Sequence, residues 1–203
     1  MIHLFKKQQD IVKKMSDEEL LRQLLFTQII ILIISICLAF FLFDSYNAFI
    51  SIFEMNTKKV FLIGAFVSLS IIILDFILMN VFPPSFFDDG GINKRLFQKR
   101  NLLEIISLTL LIAFCEELLF RGVLQTHFGL IVASIIFAIL HIRYLTKWLL
   151  FTMVVLVSFL LGVVYEWTEN LWTTIFIHFV IDFVFALQIR YQYILDHNKG
   201  DGE

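Results

Sequence analysis

The chain has 203 residues, of which 59% are hydrophobic and only 17% charged, with a net charge of −2 at pH 7 and a mean hydropathy of +0.86. A soluble domain with one core cannot hide so much apolar surface, because globular chains are about a quarter charged and under half apolar; the composition specifies a polytopic membrane protein. It also excludes a nucleic-acid binder, since no sustained basic face is available to neutralise phosphates.

In chain order, Leu4, Phe5, Ile11, Val12 and Met15 recur at helical spacing with Lys6, Lys7, Asp10, Lys13 and Lys14 between them, which predicts a short amphipathic helix lying in the membrane interface. The polar preface and the lack of Ala-x-Ala-like cleavage chemistry argue against a signal peptide. Ser16-Asp17-Glu18-Glu19 reads as a capping box opening the next helix. Six apolar spans are expected, at about Leu24 to Phe43, Val60 to Phe82, Ile105 to Gln125, Leu130 to Ile142, Trp148 to Tyr165 and Leu171 to Gln188. The fold class is therefore an all-α transmembrane bundle of about six spans. Its expected parts are residues 1–100 (interfacial helix, two spans and a cytoplasmic loop), 101–190 (the remaining four spans, the core) and 191–203 (polar tail). The stretch from Pro83 through Asp88-Asp89-Gly90-Gly91 is a loop, with a further interfacial helix expected from Ile92 to Asn101. Thirteen of the 16 Lys and Arg residues fall on one side of this arrangement, so the positive-inside rule puts both termini in the cytoplasm of a multi-pass cell-membrane protein. Trp148, Trp167 and Trp172 sit at span ends, as in an aromatic belt. Cys37 and Cys115 read as small buried hydrophobes.

Ionisable groups inside a bilayer are costly and mark functional sites by default. Asp75, Glu116, Glu117, Arg121 and Asp182 lie inside the expected spans, with His141 and His178. Glu117 and Arg121 are four apart and able to pair, while Glu116 is turned about 100° away and faces another neighbour. Glu116 lies 13 residues before Gly129 and His141 lies 12 after it, so a helical hairpin at Gly129 brings them to one depth. His178, ten residues beyond Thr168, reaches a similar depth and shares a face with Asp182. An intrahelical ion pair explains Glu117 with Arg121 equally well, and an interhelical hydrogen bond explains a lone His; it is the combination on three helices that points to chemistry. Asp75 has no polar partner within one turn and no assigned role.

A buried carboxylate beside an imidazole can activate water, and a second His can donate to an oxyanion. Peptide hydrolysis uses these parts. Zinc is the alternative, with two His and one Glu as ligands and a fourth position open to water, although the spacing is not the His-Glu-x-x-His of soluble metalloproteases. Glu116-Glu117-x-x-x-Arg121, Phe137-x-x-x-His141 and His178-x-x-x-Asp182 resemble the three motifs of the CPBP (CAAX protease and bacteriocin-processing) intramembrane proteases, which include Rce1-type CAAX prenyl endopeptidases and the bacterial Abi proteins. The resemblance covers about residues 101–188. It implies Glu116 as the water-activating carboxylate, His141 as its assistant, His178 and Asp182 as the oxyanion-binding pair, and Glu117, Arg121 and Phe137 as support, with a peptide or protein at the membrane as substrate and zinc left open as a cofactor. Where Rce1-type enzymes carry Asn, this chain has Asp182. An ionised Asp only accepts hydrogen bonds, so Asp182 either keeps a proton or orients His178, the second being a common carboxylate role. The Ile, Phe and Lys richness points to an AT-rich bacterial genome. Competing readings are a non-catalytic immunity or scaffold protein and a proton-coupled transporter, the latter opposed by the lack of paired half-repeats.

Overall fold

A computed structural model describes residues 14–54, 57–141, 144–145 and 147–200; the expected interfacial helix in the first residues lies outside them. The bundle is built from α1 (Asp17–Leu42), a short α2 (Tyr46–Ser51), α3 (Thr57–Val81), a short α4 (Ile92–Phe97), α5 (Leu102–Glu117), a π-helical segment (Leu118–Gln125), α6 (Thr126–Leu140), α7 (Trp148–Thr168) and α8 (Leu171–Gly200). No strand is present among the described residues. The fold is an all-α polytopic bundle.

Caps fix the helix starts. Ser16 Oγ accepts from the Glu19 amide at 3.2 Å while Glu19 Oε2 accepts from the Ser16 amide at 2.7 Å, the expected capping box. Asn101 and Glu104 repeat it at the head of α5, at 2.9 and 2.8 Å. Among the described residues, five helical runs are long and apolar enough to cross a membrane. The third, Leu102–Leu140, has no polar loop to divide it, yet it supplies both the third and the fourth expected spans. At Gly129 the backbone takes φ 81°, ψ 167°, a conformation open to glycine because it has no Cβ, and the chain reverses. Phe120 and Phe137 then stack edge to face with centroids 4.8 Å apart, whereas 17 residues of continuous helix would separate them by about 25 Å.

Side-chain packing sets the order of the helices. Leu20 of α1 joins Ile105 and Leu108 in one buried cluster, and Ile31 and Leu38 pack against Leu119, Phe120 and Leu124 in another, so α1 runs parallel to α5 and the π segment. Phe61 meets Phe176 and Phe76 meets Phe185, which aligns α3 parallel to α8. Outward-facing Phe26, Ile33, Phe40, Leu62 and Phe66 are exposed; such an apolar surface is a liability in water and the required surface in lipid.

Three local expectations are revised. The segment after Gly91 is a six-residue helix whose Leu96 and Phe97 are buried in the bundle with Leu20 and Ile105, and Arg95 Nε pairs with Asp17 Oδ1 at 2.8 Å, so it is packed onto the bundle end and does not float in the interface. Trp172 does more than form a belt: its indole donates to the Phe53 carbonyl at 2.9 Å, fastening the start of α8 to the end of α2. Cys37 is exposed, Cys115 buried.

Candidate active site

The densest polar cluster begins at the end of α5 and continues through the π segment, all eight residues of which are buried. Short π segments inside α-helices are rare and frequent at functional sites. Here the segment turns polar side chains toward α7. Arg121 Nη2 donates to Ser158 Oγ at 2.9 Å, Arg121 Nη1 to Gln125 Oε1 at 3.4 Å, and Gln125 Nε2 to the Gly162 carbonyl at 2.8 Å. Thr126 donates to the Arg121 carbonyl at 3.1 Å, so its contact with Tyr165 at 2.8 Å is a hydrogen bond donated by the phenol. The Arg121 guanidinium also lies over the Phe137 ring, 5.9 Å from its centroid.

Glu117 and Arg121 are both 0% exposed and pair at 3.3 Å. The pair is not a closed intrahelical device, because the second Glu117 oxygen accepts from His178 Nδ1 of α8 at 3.0 Å. A carboxylate that compensates one cation and holds one imidazole has both oxygens committed. The Glu117 contact fixes the His178 ring and places the Nδ1 proton on that side. His178 Nε2 faces Asp182 Oδ2 at 3.6 Å, too long for a hydrogen bond, so Glu117 and not Asp182 orients the imidazole. Asp182 is 33% exposed, against 12% for His178.

Glu116, one residue earlier and turned to another face, is half-buried. It interacts electrostatically with His178, Asp182 and Glu117, and also interacts with the Gln28 side chain of α1. The hairpin register that sets Phe120 against Phe137 also carries His141 level with Glu116. His141 stacks on Phe137 at 4.2 Å, and its Nδ1 donates to the Phe137 carbonyl at 2.9 Å. A carbonyl only accepts, so the proton of a neutral ring sits on Nδ1 and Nε2 is the atom able to take one. The motif residues Glu116, Glu117, Arg121, His178 and Asp182 thus converge directly, with Phe137 roofing the arginine and His141 held at their level. Asp75 is half-buried on α3 and makes no hydrogen bond or ion pair among the described residues.

Sequence reasoning passed over Gln28, Gln125, Ser158 and Gly162. Their signal was available: the cost that makes a charge conspicuous in lipid applies, more weakly, to an amide or hydroxyl in an otherwise apolar span. Gly162 serves by absence. A Cβ there would overlap Leu130 Cδ1 and stand 2.9 Å from Gln125 Oε1, so α7 approaches the hairpin this closely only with glycine. Gly162→Leu is expected to destabilise the protein by about 1–3 kcal/mol, read as a lower melting temperature in detergent, with Gly162→Ala in between; an unchanged melting temperature in the leucine variant would contradict this packing.

The family described as type II CAAX prenyl endopeptidase Rce1-like matches residues 98–184. The uncharacterized protein YpbD of Bacillus subtilis (strain 168) is 48% identical over 168 residues, covering 83% of this chain and 89% of that protein. The chain belongs to the Rce1-like family. That is a family of membrane proteases, and every motif residue from Glu116 to Asp182 falls inside the matched Rce1-like region, while α1 lies outside it. No solved structure matches the chain.

Proposed function

We propose that this Rce1-like protein is an intramembrane endopeptidase that hydrolyses a peptide bond at or within the bilayer. The observation that carries the reading is the unlike treatment of two adjacent carboxylates. Glu117 is sealed and compensated by Arg121 and His178; Glu116 is partly accessible and faces His178 and Asp182 without a cation of its own among the described residues. Neighbouring carboxylates in contrasting environments take different roles. Glu116, assisted by His141, accepts a proton from water as the water oxygen attacks the peptide carbonyl. His178, protonated on both nitrogens, donates from Nε2 to the developing oxyanion, and the proton taken by Glu116 passes to the leaving amine, giving a new carboxylate terminus and a new amino terminus. Asp182, at the accessible edge, flanks His178. The substrate is a peptide or protein in or at the membrane, and the basic loops support cytoplasmic termini in the cell membrane.

A zinc centre does not fit the residues as arranged. Both Glu117 oxygens are committed to Arg121 and His178, and among the described residues no three His, Cys, Asp or Glu side chains gather as a ligand set. No step is therefore routed through a metal. Cleavage of a membrane peptide library by the purified protein in liposomes is expected to survive 1,10-phenanthroline. Loss on chelation with recovery on added zinc would overturn this part. The scaffold reading draws on the same buried Arg121 network, and it is separated from the peptidase by measuring abundance and cleavage in the same variants.

A further inference from the structure

Gln28 is the one amide on α1 carried deep into the bundle, and it is 2% exposed. Its depth follows from the register of α1 with α5. Ile31 packs against the cluster that holds Leu119 and Phe120, which puts Gln28, three residues before Ile31, at about the level of Glu116, three residues before Leu119. The Gln28 side chain interacts with the Glu116 carboxylate. A carboxylate accepts, so Gln28 Nε2 faces it, and this fixes Oε1 of the same planar group beside the carboxylate. Gln28 Oε1 is buried and has no hydrogen-bond partner among the described residues. A buried unmatched acceptor is destabilising, and a donor small enough to reach it next to Glu116 is water.

We propose that Gln28 holds the water that Glu116 activates: Nε2 donates to the Glu116 carboxylate while Oε1 accepts one hydrogen of the water, whose other hydrogen points to Glu116. The amide thereby fixes which lone pair of the water faces the peptide carbonyl. This rests on the peptidase reading, and it adds a residue of α1, outside the matched family region, to the reacting group. No new bond-making step is introduced; the water, its proton and the leaving amine move as described above.

The test uses the full chain in membranes. Gln28→Met keeps the unbranched shape and similar volume while removing donor and acceptor, so a role in packing survives it. Gln28→Met is expected to slow processing about 100-fold, the scale of loss when a reactant is misplaced, at wild-type abundance and melting temperature. Gln28→Glu, which keeps an acceptor oxygen, is expected to recover part of the rate. A high-resolution map of the wild-type protein in nanodiscs is expected to show a water within hydrogen-bonding distance of Gln28 Oε1 and Glu116, absent in Gln28→Met. Wild-type processing in Gln28→Met beside an inactive Glu116→Ala, or a map in which Oε1 bonds a protein donor, overturns the inference. If Glu116→Ala also processes normally, it is the peptidase reading that fails, and the map alone decides the bridging water.

Discussion

Glu116→Ala and His141→Ala are each expected to reduce peptide cleavage by about 10²–10⁴-fold, the range of a general base, while the protein still accumulates in the membrane. The two properties separate because of how the site is built. Glu116 is half-buried and stands outside the ion-pair network, so truncating it leaves Glu117 between Arg121 and His178 and unpairs no other charge. His141 ends α6, and its loss removes a ring stacked on Phe137 without touching the Phe120 contact that closes the hairpin. Cleavage of the peptide library, normalised to protein by immunoblot, measures the first quantity against the second. Variants that lose abundance in proportion to activity would instead support the scaffold.

Arg121→Met is expected to do the opposite, removing the protein before it can be assayed. It leaves Glu117 0% exposed and without its guanidinium, and it strips the partner from Ser158 Oγ and from Gln125 Oε1. Breaking a buried pair from one side costs about 3–5 kcal/mol, whereas replacing both members is often nearly neutral. The double variant Glu117→Gln with Arg121→Met is therefore expected to recover most of the lost abundance and melting temperature. It is not expected to recover cleavage, because the amide no longer compensates His178 as the carboxylate does. A double variant that is stable and fully active would show that the Glu117 contact does not serve the chemistry.

Much of this architecture is legible in the sequence because it follows from spacing. The fold-back at Gly129 needs only residue counts and a glycine, the capping box only Ser16 and Glu19, and the spans only their length. The convergence of Glu116, Glu117 and Arg121 with His178 and Asp182 is legible because charges in lipid are too costly to be incidental. What the sequence does not display are choices between near-equivalent partners. Spacing separates Glu117 from Glu116, but it does not say that Glu117, and not Asp182, takes His178 Nδ1. Gln28 and Ser158 carry no charge, so their cost in lipid is small enough to pass as noise, and the closeness of α7 to the hairpin at Gly162 is a matter of tertiary packing that no periodicity encodes. Asp75 was conspicuous from the start, and nothing in the structure explains it.

The most direct test of the central claim compares peptide termini in membranes from cells carrying the wild-type chain with those carrying Glu116→Ala at equal abundance. The account predicts at least one new terminus in the wild-type membranes, together with its uncut precursor in the variant. Identical terminal profiles at matched protein levels would contradict it.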